Sequence, residues 1–258
     1  MDNYALITGS TSGIGKALAE KFASQGHHLV LVSKVSDIES LNQQADLLAG
    51  RYDIKVSVIG IDLEKEYAAK MVYEKVKKLN ISVEYLVNNA GFGVYGSFLE
   101  TDLMQEIDMM TLHTTCTTKM MKLFLPDMVH NGYGRVLNLS STASYMPVFK
   151  MSVYAATKAY ISSLSKTINM ELKGTGVSVT ALCPGATSTA FAHKAGMENT
   201  LLFRMFVMSS TDVANIGYKA LIRGRPYVIA GAYNKLLVLL TRLLPAFIVN
   251  PITKLMLR

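Results

Sequence analysis

The sequence predicts a doubly wound α/β domain, a parallel sheet with helices on both faces. Three observations predict it. Short apolar runs alternate with helical stretches from the first residues onward, which is the pattern of βαβ units. Several of these runs are almost wholly apolar, as strands are when helices cover both faces of their sheet. A glycine-rich turn joins the first strand to the first helix, where a backbone without β-carbons can approach a ligand closely.

The elements follow in order. "YALIT" (4–8) reads as the first strand, and a helix runs from about Gly13 to Gln25 with Gly26 as its C-cap. "HLVLVS" (28–33) is the second strand, and "DIESLNQQADLLAGR" reads as a helix. "KVSVIGI" (55–61), "VEYLVNN" (83–89), "GRVLNLSS" (134–141), "VSVTALC" (177–183) and "YVIAG" (227–231) are further strands. Neither a low-complexity linker nor a repeat divides the chain, so residues 1–258 are read as one domain. In such sheets ligands bind beyond the carboxyl ends of the strands. The residues just after each strand are therefore the candidates for chemistry.

Composition narrows the setting. Apolar residues make up 50% of the chain, enough for a sizeable core. Cys116 and Cys183 are the only cysteines, which points to a reducing, cytoplasmic compartment without a disulfide framework. The opening "MDNYALITGS" has no basic region followed by a long apolar run, so no signal peptide is expected. The net charge is +7, but the basic residues read as scattered. Without a dense or aromatic-interleaved patch they argue against nucleic acid. General solubility, a phosphorylated cofactor and a membrane surface remain. No metal site is expected.

The first turn reads "TGSTSGIG": Gly9, Ser10, Thr11, Ser12, Gly13, Ile14 and Gly15. Its N–H groups and the partial positive charge of the following helix suit a phosphate, so a dinucleotide is expected. An acidic residue at the end of the second strand would hold an unphosphorylated ribose. Here Ser33 and Lys34 stand in that place, with no carboxylate before Asp37. A lysine can pair with a 2′-phosphate, so NADP(H) is favoured over NAD(H), unless Lys34 is only a solvated loop residue. Asp62 and Leu63 follow the third strand, where Asp62 can meet the adenine. "NNAG" follows the fourth: Asn side chains can tie strand ends together, and Ala90 and Gly91 beside Asn89 leave room for the cofactor.

"SVYAATKAY" carries Tyr154 and Lys158 four residues apart, on one face of a helix. A free phenol titrates near ~10, and lowering that to ~7 takes roughly 4 kcal/mol of preferential support for the phenolate. A neighbouring ammonium is expected to supply part of it.

The motifs Thr8-Gly9-x-x-x-Gly13-Ile14-Gly15, Asn88-Asn89-Ala90-Gly91, Ser141, Tyr154-x-x-x-Lys158 and Pro184-Gly185-x-x-x-Thr189 occur in this order. Together they resemble the short-chain dehydrogenase/reductase family over nearly the whole chain. The resemblance implies a single-domain Rossmann fold with a seven-stranded parallel sheet, and a homodimer or homotetramer. It makes Tyr154 the acid/base and Ser141 the hydroxyl that holds the substrate oxygen. Lys158 would lower the Tyr pKa and bond the nicotinamide ribose. The turn from Pro184 and Gly185 through Thr187 to Thr189 would wall the nicotinamide. Ser140 ranks below Ser141, because neighbours on a strand face opposite ways. The family's usual Asn in the helix after the fourth strand is replaced by His113, or by Thr114 if the alignment slips by one. Histidine can relay protons; equally, His113 is a packed ring.

The segment 190–210 is read as a substrate lid. With Leu201, Leu202, Phe203, Met205, Phe206, Val207 and Met208, flanked by Met146 and Met151, it suits a pocket for a ketone or acyl chain, or else an apolar subunit interface. The stretch 232–258 is an apolar extension in which Asn234, Thr241 and Arg242 form a narrow polar stripe. It lacks the run of about 18 uncharged apolar residues needed to span a bilayer, which leaves a helix on a membrane surface or, the favoured reading, packing on a neighbouring subunit or against the substrate lid. The expected function is NADPH-dependent transfer of a hydride to the carbonyl of an apolar substrate. The alternatives are a non-catalytic NADP(H)-binding regulatory protein and an isomerase or dehydratase on the same scaffold.

Overall fold

The computed structural model describes residues 3–191, 196–197, 200, 203 and 207–256. Its strands are β1 (Tyr4–Thr8), β2 (His28–Ser33), β3 (Val56–Gly60), β4 (Val83–Asn88), β5 (Gly134–Leu139), β6 (Val177–Cys183), the short pair β7 (Thr187–Ser188) and β8 (Met208–Ser209), and β9 (Tyr227–Ile229). Seven of them form one sheet in the order β3-β2-β1-β4-β5-β6-β9, with every pairing parallel. The helices are α1 (Gly13–Ala23), α2 (Ile38–Tyr52), α3 (Ala68–Lys78), α4 (Leu103–Met110), α5 (Thr117–His130), α6 (Ser152–Glu171), α7 (Ser210–Ile222), α8 (Ala232–Leu243) and α9 (Ala246–Met256).

The near-continuous apolar strands are explained by two cores. Along a strand, successive side chains point to opposite faces. Leu6, Val30, Leu86 and Val136 face a core shared with α3 and α5, through Val72, Val76, Met120 and Phe124. Ala5, Ile7, Leu29, Leu31 and Val87 face the other, shared with α1, α2 and α7, through Leu18, Phe22, Leu41 and Val213. Both strand faces are dry, so the strands are mainly apolar, with Asn138 of β5 and Thr180 of β6 buried among them.

α1 stops at Ala23, two residues before the end the sequence predicts, because the chain must already turn into β2. The Gly26 and His27 N–H groups close onto Ala23 and Phe22 carbonyls at 2.9 and 3.2 Å, and Gly26 takes φ +78°, the left-handed conformation that glycine enters without penalty. The chain runs outward from β1 to β2 and β3, then returns to β4 on the other side of β1. That reversal of strand order opens a crevice at the carboxyl ends of β1 and β4.

Candidate active site

A cavity of about 700 Å³ occupies this crevice. Its floor is the turn after β1. Gly9 and Gly13 have φ +64° and +53°, and a β-carbon on Gly13 would lie 2.9 Å from Thr189. A β-carbon on Gly15 would collide with the Gly9 carbonyl oxygen and the Asn89 amide. The turn therefore presents bare backbone at the start of α1, a shape that a β-carbon would fill. Thr8 and Asn89 hold it in place. The Thr8 hydroxyl accepts from the Asn89 and Ala90 N–H groups at 2.9 and 3.0 Å, and the Asn89 amide donates to the Thr8 and Gly9 carbonyls at 2.9 and 3.0 Å. Asn88 bonds Asn138 at 2.8 Å, and Asn138 reaches Ser165 of α6 at 2.9 Å. The asparagines tie the strand ends together, as their side chains suggested.

Of the residues picked out from the sequence, Gly9, Thr11, Ser12, Gly13, Ile14, Gly15, Ser33, Lys34, Asp62, Leu63, Asn89, Ala90, Gly91, His113, Ser141, Tyr154, Lys158, Pro184, Gly185, Thr187 and Thr189 all line the cavity. Ser10 does not. It is fully buried beneath the turn, with no partner for its hydroxyl.

At the far end of the crevice Lys34 differs from the free cation expected. Its Nζ lies 2.7 Å from Glu64 Oε1. Burial pulls its pKa down, but the Glu64 contact outweighs that and holds the ammonium above its ordinary range. Asp37, Glu64 and Ser36 also line this end, and the sequence reading gave none of them a place there. Asp37 Oδ2 accepts from Ser33 at 2.9 Å and from Thr11 at 3.5 Å. Its position four residues past the end of β2 hid this contact. A one-turn helix, Val35–Asp37, folds the carboxylate back over the strand end.

At the other end Ser141, Tyr154 and Lys158 come together. Ser141 ends the β5 segment as the N-cap of a short turn, Thr142–Tyr145, accepting from Ala143 N–H at 3.1 Å. Ser140 faces away and donates to the Lys158 carbonyl at 2.8 Å, so strand alternation separates the two hydroxyls as expected. Lys158 Nζ donates to the Leu139 carbonyl at 3.0 Å and stands 5.5 Å from the Tyr154 ring centroid.

The electrostatics run against the sequence expectation. Burial pushes the Tyr154 phenol up to about 12, with the Ser141 hydroxyl pulling the other way as a hydrogen-bond partner. Burial also pulls the Lys158 ammonium down to about 7. In a site this dry, desolvation penalises both charged forms.

His113 sits in a wide π-type turn, Thr111–Cys116, between α4 and α5. Such turns recur at functional sites. The ring is buried, and its Nδ1 lies 2.9 Å from the Thr157 hydroxyl. That hydroxyl donates its one proton to the Tyr154 carbonyl at 2.7 Å, which makes Nδ1 the donor and leaves Nε2 a bare acceptor. Nε2 is buried without a partner, against Gly91. Burial, and then the Lys158 charge, hold the imidazole well below its ordinary pKa. Thr114 instead bonds the Met110 carbonyl and is no part of the site.

Above Tyr154 the wall is apolar. Met151 and Met197 pack with Tyr95, Val148, Tyr154, Phe191 and Phe203, and Met146 lines the same space. Of the expected lid, Phe203 reaches the cavity and Met208 pairs with Thr187. Leu201, Leu202, Met205 and Phe206 lie outside the described residues. Leu237 of α8 and Thr253 of α9 complete the wall, in the stretch expected to pack against the substrate lid or a neighbouring subunit.

Comparison with known proteins agrees with this geometry. The family model for short chain dehydrogenases matches residues 3–200. The chain is 34% identical over 200 residues to a very-long-chain 3-oxoacyl-CoA reductase of Bos taurus, covering 74% of this chain and 62% of that one. It is 33% identical over 198 residues to sulfoacetaldehyde reductase 2 of Chromohalobacter salexigens, covering 74% and 75%. This chain thus spans under two thirds of the first relative's length. Among solved structures, a short-chain dehydrogenase from Sphingobium yanoikuyae in complex with NADPH superposes with a TM-score of 0.82 at 31% identity, over 90% of this chain and 89% of that one.

Proposed function

From the premise that the chain belongs to the short-chain dehydrogenase family, whose members bind a nicotinamide cofactor, we propose that it is an NADPH-dependent reductase of an apolar, acyl-type carbonyl compound. One observation carries this reading. Ser141, Tyr154 and Lys158 meet at one end of a cavity whose other end is a backbone cradle for a dinucleotide phosphate.

The bound cofactor supplies the hydride that reduces the carbonyl carbon. This chain's residues handle the oxygen and the proton. Ser141 and Tyr154 hold the substrate oxygen between two hydroxyls, a clamp that strengthens as negative charge grows there. Tyr154 keeps its proton at neutral pH, since burial holds its phenol near 12, and so acts as the acid. Lys158, held near 7 and fixed by the Leu139 carbonyl, is about half-protonated at neutral pH and in its charged form can return a proton to the phenolate. His113 stays neutral and acts through Thr157 as a positioning residue for the Tyr154 segment. The Met- and Phe-lined wall and the acyl-CoA reductases among the relatives support an apolar substrate.

For the cofactor, Lys34 at the adenosine end and the NADPH-bound structural relative support NADP(H). Asp37 beside Ser33 favours a second reading, an unphosphorylated ribose. Parallel titration with the two cofactors separates them. Two buried free thiols, Cys116 and Cys183, support a reducing, cytoplasmic setting. The exposed Leu103, Met104, Ile107 and Met110 of α4, near Phe98 and Leu99, support self-association into a homodimer through this face.

The test is NADPH oxidation against a panel of ketones and 3-oxoacyl thioesters, for wild type and Tyr154→Phe. The variant should lose turnover and keep NADPH binding. Retained turnover would make another group the acid. A wild type that binds NADPH but reduces nothing would be a nucleotide-binding protein.

A further inference from the structure

Of the polar stripe expected on the C-terminal helices, Asn234 and Thr241 point inward and Arg242 is exposed. On α8, Asn234 and Val238 are buried and Thr241 is half-buried. The Asn234 amide donates to the Ala230 carbonyl at 2.7 Å and abuts Gly185 of the cavity wall. The opposite side of α8 carries Leu236, Leu239, Leu240 and Leu243, all exposed, and α9 adds Phe247, Ile248 and Leu255. Leu243 and Phe247 are 70% and 76% exposed, where a folded domain has no reason of its own to keep them.

Charge in the chain is not scattered after all. Seven of the 26 Lys and Arg residues follow Asp212, and none of the 19 Asp and Glu residues do. The whole net charge of +7 therefore belongs to this C-terminal part. Lys235 and Arg242 lie seven residues apart, on one flank of the leucine face, and Lys254 is on α9. Arg242 stands 5.0 Å from the Tyr145 ring and Lys254 5.4 Å from the Phe149 ring, and these two rings flank Met146, Pro147 and Val148 of the cavity wall. None of the three is in an ion pair among the described residues.

We propose that the outer face of α8 and α9 docks on an anionic phospholipid surface, beside the opening through which substrate enters. An apolar face flanked by lysine and arginine, with no carboxylate, matches the interface of such a bilayer. A second copy of this chain is a poorer occupant. A two-fold contact sets a patch against itself and would oppose these cations to their own images. No helix among the described residues is long and apolar enough to cross a membrane, and the contact proposed for α8 and α9 is a peripheral one. Leu237 and Thr253, on the inner sides of the same helices, line the cavity. Delivery of a lipid-like substrate from the bilayer rests on the reductase reading; the docking itself does not.

Flotation of the full chain with vesicles tests this, using phosphatidylcholine alone and phosphatidylcholine mixed with phosphatidylserine. The chain should float with the mixed vesicles and far less with the neutral ones. The double variant Leu243→Asp with Phe247→Asp should weaken binding by roughly 100-fold. Lys235→Glu with Arg242→Glu should weaken it roughly tenfold or more. Reduction of a water-soluble ketone, unchanged in both variants, shows that fold and chemistry are intact and keeps the two readings separate. Failure to float with either vesicle, or equal flotation with both, overturns the proposal. So does light scattering in which the Leu243/Phe247 variant splits a dimer that wild type forms.

Discussion

Lys158→Met should make the folded protein more stable, by an amount that depends on pH in a defined way. Lys158 is 4% exposed, and burial lowers its pKa from 10.5 to about 7. The unfolded chain therefore binds a proton up to pH 10.5 that the folded chain releases near 7. Below 7 both states hold the proton, and the folded state bears the full penalty, roughly 5 kcal/mol at about 1.4 kcal/mol per pH unit of displacement. Between 7 and 10.5 the unfolded state binds more protons, so wild-type stability rises with pH and the penalty shrinks by that same slope. At pH 7 it is still roughly 4 kcal/mol, and at pH 9 roughly 2. Methionine has similar length, suits an irregular dry site and has no charge to desolvate. It forgoes one hydrogen bond to Leu139, worth about 1 kcal/mol at every pH. Urea denaturation of both proteins without added cofactor, at pH steps from 6 to 9.5, measures the difference. Above about pH 7.5 its slope isolates Lys158, because His113, whose imidazole the Lys158 charge also disfavours, is neutral there in the folded and unfolded chains alike. A wild-type-to-variant gap that stays flat with pH would refute the desolvated ammonium, and with it the proton-return role given to Lys158.

Lys34→Asp should raise the KM for NADPH sharply while sparing NADH, read from initial rates; an unchanged KM would remove Lys34 from the 2′-phosphate. His113→Ala should leave the pKa values of the pH–rate profile in place, because the ring is already neutral, and should cost about 2 kcal/mol through its cavity and the lost hydrogen bond to Thr157. Wild type should also lose stability relative to this variant as pH falls below 6.5, where the unfolded histidine takes a proton that the folded one refuses; a displaced limb in the rate profile would restore the relay. Gly15→Ala drives a β-carbon into the Gly9 carbonyl and should cost roughly 1–3 kcal/mol along with cofactor affinity, measured by thermal shift and fluorescence titration.

The order and type of the main elements were legible because strands buried on both sides must be apolar, and turns that meet a phosphate must lack β-carbons. Local chemistry of this kind is written residue by residue, so the glycine turn, the asparagine ties and the pairing of Tyr154 with Lys158 could be read from spacing, while Ser141 was implied by the family resemblance. The direction of the pKa displacements could not. A sequence shows that an ammonium stands near a phenol, but the balance between their attraction and desolvation depends on how much protein surrounds both. Asp37 and Glu64 entered the adenosine end for a similar reason: a one-turn helix and a side-chain pairing, each a matter of a few ångströms, decide which carboxylates reach the crevice. The C-terminal helices are the clearest division. Their sequence declared two faces, one polar and one rich in leucine. Only the packing of Asn234 against Gly185 determined that the leucines look outward, because an amphipathic helix turns whichever face its surroundings can satisfy, and those surroundings come from residues far away in the chain.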